Sequence, residues 1–159
     1  MRKYLIPGVL SALLLSVYGL ALLNGPTAAD AAHDGQAKWR LENCRYQSVD
    51  PGYWTEREVH MLIHCAVEKW GVSHSTADYV ANRESGLRYN AYNRSGCGGY
   101  GCFGVFQHHG LYWAGRVSAY NKAHPGGLHI KDTKAFNARA NVLVTLWMVD
   151  HGGWGPWGQ

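Results

Sequence analysis

The chain has 159 residues, of which 47% are hydrophobic, 13% aromatic and 16% charged, with a formal net charge of +4. That length suits one domain with a modest core, and a charged fraction well under the usual ~25% excludes both a disordered charged tail and a coiled coil. A charge of +4 with no Lys/Arg block excludes a nucleic-acid binder, while 20 Gly and 7 Trp suit loops that carry rings around a concave surface.

Arg2 and Lys3 precede an uncharged run over 4–23, then Asn24, Gly25, Pro26 and a small-residue stretch ending at Ala32. This is the order of a secretory signal peptide: basic start, apolar centre, small-residue cleavage site. Residues 4–23 are also long enough to anchor the chain in a bilayer. Pro7 and Gly8 shorten the strongly helical part to about 9–23, which favours cleavage. Residues 1–32 are therefore a signal peptide or membrane anchor, and 33–159 form one domain outside the cytoplasm. That domain is secreted, periplasmic, cell-wall associated or membrane-anchored. Cys44, Cys65, Cys97 and Cys102 form an even set, so disulfides are expected in an exported chain. Three pairings are open. The short Gly-rich loop between Cys97 and Cys102 favours 97–102 with 44–65.

From about 33 to 54 the chain reads as irregular. Thr55-Glu56-Arg57-Glu58 is a capping box. It opens a helix with Val59, Leu62, Ile63, Ala66 and Val67 inward and Gly71 as its terminator. Ser75 is the expected cap of a second helix, running from Thr76 to Arg83 or Glu84 with Ala77, Val80 and Ala81 inward, stopped by Gly86. Residues 86–107 hold six glycines and no period, so they read as a loop with room for a short hairpin. A third helix is expected from about Leu111 to Tyr120, broken by His124-Pro125-Gly126-Gly127. A fourth is expected from about Asn137 to Asp150, burying Ala140, Leu143, Val144, Trp147 and Met148. The class is α+β, predominantly α, with a small irregular or β insertion.

Glu84 ends the second helix, where the helix dipole and nearby rings both disfavour a carboxylate. A group so placed suits general acid catalysis. His60 and His64 stand one helical turn apart, but no Glu follows His60 in the HExxH manner and no third ligand is evident. No metal or cofactor is expected, and His108-His109 identify no role beyond edging a cleft.

The run Glu84-Ser85-Gly86-Leu87-Arg88-Tyr89-Asn90-Ala91-Tyr92-Asn93, followed by Gly104-Val105-Phe106-Gln107, resembles the lytic transglycosylase domain of the lysozyme-like superfamily. Phe136-Asn137, Asn141 and Gly153-Trp154-Gly155-Pro156-Trp157 resemble that family too, and the likeness covers about 70–157. It implies a lysozyme-like fold, with helices around a cleft that binds peptidoglycan glycan strands. The implied reaction is cleavage of the β-1,4 bond between N-acetylmuramic acid and N-acetylglucosamine by a monomer. Carried over, Glu84 is the acid and then the base, Ser85 orients it or the substrate, and Gln107 and the backbone at Phe106 hold the glycan. Tyr100, Phe103, Tyr112 and Trp113 are candidate sugar platforms. The family's later Ala-Tyr-Asn motif is missing; the matching stretch is Val149-Asp150-His151, so His151 or Asp150 is expected to replace its tyrosine.

From Ser85 to Lys131 there are 47 residues without Asp or Glu. Hydrolases of this kind use a second carboxylate for water or as nucleophile. The gap favours a non-hydrolytic 1,6-anhydromuramic product, unless Asp78, Asp132 or Asp150 reaches the cleft from elsewhere. A muramidase similar to goose-type lysozymes and a glycan-binding module that does not cut are the alternatives.

Overall fold

A computed structural model describes Cys44, residues 52–126 and residues 128–158. The signal or anchor segment 1–32, its apolar run 4–23 and most of the polar stretch after it lie outside the described residues. The described residues form four α-helices and one three-stranded antiparallel sheet, an α+β, mainly helical structure. Among the described residues, no helix is long and apolar enough to cross a membrane.

Helix α1, Glu56–Trp70, starts as its sequence dictates. The Glu58 amide donates to Thr55 Oγ1 at 3.2 Å, and the Thr55 amide donates back to Glu58 Oε2 at 2.9 Å. Both halves of the capping box are formed. Val59, Leu62, Ile63, Ala66 and Val67 are all buried, at the i, i+3, i+4, i+7, i+8 spacing of one helix face. Gly71 ends the helix at φ +62°, a left-handed position that costs glycine little.

Helix α2, His74–Ser85, begins two residues earlier than expected because Ser73, not Ser75, is the cap. Ser73 Oγ accepts from the Thr76 amide at 3.4 Å, while the Ser75 hydroxyl lies 3.1 Å from that of Ser73 and is spent on it. Ala77, Val80 and Ala81 face inward, as read, and the helix packs on α1.

The stretch after Gly86 is more ordered than a loop. Strands β1 (Tyr92–Asn93), β2 (Cys102–Phe103) and β3 (His108–His109) pair in that order, Tyr92 opposite Phe103 and Phe103 opposite His108. Two-residue strands are too short for any alternation to register in sequence. Disulfides join Cys44 to Cys65 and Cys97 to Cys102, with Cα separations of 5.4 and 5.6 Å. Both are compatible with an exported protein.

Helix α3, Gly110–Ala123, packs on α4, Ala138–Gly152. Helix α4 is buried on every side from Ala138 to Leu146, so it is the central helix of the core. Trp147 and Met148, expected inside, are only half-buried because the helix emerges in its last turns.

One buried polar residue on α4 sets the course of the chain beside it. Asn141 Oδ1 accepts from the Phe106 amide at 2.8 Å. Its Nδ2 donates to the carbonyls of Phe103 and Ala135, both at 3.1 Å. Gly104 (φ +75°) runs so close that an added Cβ would strike the Asn141 amide and the Ala135 carbonyl. Replacing Asn141 by Ala strands one amide and two carbonyls, and buried unpaired groups are expensive. We expect Asn141→Ala to lose about 2–4 kcal/mol of stability by urea denaturation. A loss under about 0.5 kcal/mol would mean these bonds hold nothing in place.

Candidate functional site

Glu84 occupies the last turn of α2, immediately before buried Ser85. It opens onto a cleft of about 430 Å³ whose lining includes Gln107, Tyr112, Arg116 and Trp157, with the Cys97–Cys102 disulfide as a wall. That volume suits a small polar ligand or part of a larger one.

Adjacent helix residues point about 100° apart, so regular helix geometry alone turns Arg83 away from Glu84. The two meet nonetheless. At the helix end both side chains curl toward the last turn of the chain. The Arg83 Nη2 and Nε groups donate to Glu84 Oε1 at 2.7 and 3.2 Å, and Nη2 also donates to the Trp157 carbonyl. The carboxylate in turn holds the Arg83 guanidinium pKa above its ordinary value. Because the pair is solvated, its importance lies in geometry rather than in energy.

Trp157 sits in a 3₁₀ turn, Gly155–Trp157, that closes the same region. Its indole Nε1 donates to the Phe106 carbonyl at 2.8 Å while its own carbonyl takes Arg83. Trp157 thus ties the Gly104–Gln107 segment to the end of α2. Gln107 takes φ +48°, a backbone conformation L residues rarely adopt. Its Nε2 donates to the carbonyls of Gly104 (3.0 Å) and Ala91 (3.2 Å), which uses both amide protons and leaves Oε1 as an acceptor.

Behind the cleft runs a buried chain. Arg116 Nη1 lies 2.7 Å from His108 Nδ1, and an arginine can only donate, so Nδ1 accepts and the proton sits on Nε2. Nε2 donates to Thr145 Oγ1 at 2.7 Å, and Thr145 donates to the Asn141 carbonyl at 2.8 Å. Burial, and then the charge on Arg116, push the His108 pKa down to about 3. Burial also lowers that of Arg116.

Of the residues singled out in the sequence, Glu84, Gln107, Tyr112, His109, Cys97 and Cys102 meet at the cleft, with Asn93, Pro156 and Trp157 from the motifs. Others do not. Ser85 is buried and its hydroxyl donates back to the Ala81 carbonyl at 3.1 Å, a helix-internal bond that leaves it unable to orient Glu84. The backbone at Phe106, expected to hold the glycan, is committed inside the protein, its amide to Asn141 and its carbonyl to Trp157, and the Trp113 ring is buried with its indole proton on the Thr133 carbonyl. His151 is exposed at the end of α4, its Nδ1 bonded to the Trp147 carbonyl, and it is not part of the cleft lining. Asp150 is exposed beside it. Tyr100 is 58% exposed and reaches the cleft only through His109, whose ring lies between those of Tyr100 (5.5 Å) and Tyr112 (4.6 Å). A second exposed ring group stacks Tyr92 on Phe103 at 4.9 Å with Phe136 edge-on.

Sequence reasoning passed over Arg116, a lone charge in a helix with no motif around it. It also missed what joins the histidines of α1: His74 and Asp78, on α2, close against His60 and His64. Comparison with family models, with curated proteins and with solved structures finds no match.

The depressed pKa of His108 makes a stability prediction. Between pH 3 and 6.5 the unfolded chain binds a proton on this ring and the native chain does not, so stability rises with pH across that window. Acidification from about pH 6.5 to 5 should cost about 1 kcal/mol per pH unit from this ring, read from urea midpoints. His108→Gln should flatten that slope; an unchanged slope would refute a neutral buried His108.

Proposed function

We propose that this protein cleaves the β-1,4 bond between N-acetylmuramic acid and N-acetylglucosamine in peptidoglycan, outside the cytoplasm, without using water. The reading rests on a likeness of motifs to lytic transglycosylases with a lysozyme-like fold. The observation that best supports it is the charge pattern of the cleft. Among the described residues, Glu84 is the one carboxylate lining it. Asp78 is paired with His60 and His74, Asp132 bonds the Lys134 amide and Asn137, and Asp150 lies at the far end of α4. A hydrolase of the two-carboxylate kind has no second group here to activate water.

One carboxyl suffices if the substrate supplies the rest. Glu84 gives its proton to the bridging oxygen as the glycosidic bond breaks, and the neighbouring acetamido oxygen closes on the sugar carbon. Glu84, now a carboxylate, removes the proton of the 6-hydroxyl, whose oxygen displaces the acetamido group to give the 1,6-anhydro ring. To act as the acid, Glu84 must leave Arg83. The Trp157 carbonyl remains for that guanidinium to donate to, so release strands no charge without a partner. Gln107 Oε1 is an acceptor for an amide or hydroxyl of the glycan, and Tyr112, 54% exposed, is a platform for a sugar face.

A glycan-binding module that does not cut is the second reading, and one observation favours it: the Glu84 carboxyl is engaged by Arg83 Nη2 at 2.7 Å. One experiment separates the two. The protein and Glu84→Gln are incubated with purified peptidoglycan, and soluble muropeptides are read by mass spectrometry. The parent should release anhydro-ended products, lighter by one water than hydrolytic ones. Glu84→Gln should lower that release by about a hundredfold or more. Reducing-end products would refute the non-hydrolytic route, and undiminished release by Glu84→Gln would remove Glu84 from the mechanism. Binding to peptidoglycan without release by either protein would establish the second reading.

A further inference from the structure

We propose that His60, His74 and Asp78 bind one zinc-class divalent cation that clamps α1 to α2. The inference is independent of any activity at Glu84.

Each of the three offers one ligand atom, and all three atoms lie within 4.8 Å of one another. His60 Nδ1 stands 3.1 Å from Asp78 Oδ1, and His74 Nε2 stands 3.3 Å from Asp78 Oδ2. Ligands bonded at 2.0–2.1 Å around a tetrahedral ion are separated by about 3.3 Å, so each imidazole already stands near that distance from one Asp78 oxygen, and a turn of the carboxylate is needed to bring both nitrogens to the same oxygen. His64 Nδ1 lies 3.0 Å from the same His74 nitrogen but outside the three-atom group, and a water completes the coordination of a bound ion.

The placement follows from helix geometry. His60 and His64 are one turn apart on α1, His74 and Asp78 one turn apart on α2, and the two helices pack against each other. Two i, i+4 pairs on facing helices converge on one point. No sequence spacing within either helix displays the set, which is why His60 and His64 read as lacking a third ligand.

The donor set selects the ion. Two imidazole nitrogens and one carboxylate oxygen suit Zn²⁺ and its first-row neighbours. Calcium and magnesium call for oxygen ligands throughout. His60 Nδ1 is hydrogen-bonded to the carboxylate, while His74 Nε2 is hydrogen-bonded to His64; on binding, the metal takes the place of the proton at each ligating nitrogen and the opposite ring nitrogen carries it. His60 and His74 are 43% and 35% exposed, so an ion can enter and its displaced waters can leave.

The ion would be a fastener rather than a reagent. Asp78 precedes Glu84 by six residues on α2, about 9 Å along the helix axis, and none of the three lines the cleft. A clamp here braces the helix whose last turn carries Glu84.

The test uses metal-stripped protein and Zn²⁺ alone. Calorimetric titration should find one ion per chain with a dissociation constant of about 1 μM or tighter. A hundredfold excess over that constant should raise the Tm by about 10 °C. Co²⁺ should give the intense visible bands of a tetrahedral site, a readout that needs no variant. His60→Gln and Asp78→Asn should each weaken Zn²⁺ at least tenfold, whereas His129→Gln, on an exposed histidine elsewhere, should not. Absence of saturable binding, weak octahedral Co²⁺ bands, or folded variants that bind like the parent would overturn the site and leave a hydrogen-bonded cluster.

Discussion

The side chain of Asn141 is the constraint on which the cleft depends. It is wholly buried in the central helix, where an amide is tolerated only if its hydrogen-bonding capacity is met. It meets that condition by holding three backbone groups: the Phe106 amide and the carbonyls of Phe103 and Ala135. Those bonds draw the chain at Gly104 against α4 so closely that a side chain there has no room. Phe106 is thereby turned inward. Gln107 follows in a left-handed conformation, next to the carboxyl at the end of α2. A core hydrogen bond thus decides which residue faces the cleft.

Two further connections make the arrangement rigid. Trp157 bonds the Phe106 carbonyl through its ring and Arg83 through its backbone, so the end of the chain closes the site onto the end of α2. The directional chain from Arg116 through His108 and Thr145 ends on the carbonyl of Asn141 itself. Every member has a defined donor or acceptor role, and such fully satisfied buried networks specify one packing. Among the described residues, the cleft is lined by one guanidinium, that of Arg116, and one carboxyl, that of Glu84, to which Arg83 is bonded. In the proposed chemistry, that carboxyl handles both proton transfers and the sugar's own groups supply the nucleophiles.

The parts of this structure that sequence made legible are those with local causes. Helix α1 announced itself through a capping box and an unbroken apolar stripe, and its start, end and inner face were all readable. Helix α2 was misplaced by two residues because Ser73 and Ser75 are equally good caps by composition, and only the bond from the Thr76 amide to Ser73 distinguishes them. A small β insertion was expected after Gly86, but its three strands and their limits were not readable, because two residues per strand carry no period. Glu84 stood out as an acid at a helix end ahead of a 47-residue stretch without another. Its pairing with Arg83 did not, because that contact turns on the Trp157 carbonyl, 74 residues away. Rings were the hardest case. Tyr112 and Trp113 are neighbours on one helix and look alike as sugar platforms in the sequence, yet Trp113 is buried and Tyr112 is exposed at the cleft. The His60, His74 and Asp78 cluster was hidden because each helix contributes only part of it.

In the proposed reaction one carboxyl cleaves the glycan and no water enters the product. Digestion of peptidoglycan in heavy-oxygen water separates this from hydrolysis, which must place solvent oxygen on the new muramic end. For the proposed route, released ends should carry no label and retain the anhydro mass. Labelled reducing ends would contradict it, and would require a second group to deliver water to a cleft in which Glu84 is, among the described residues, the one acid.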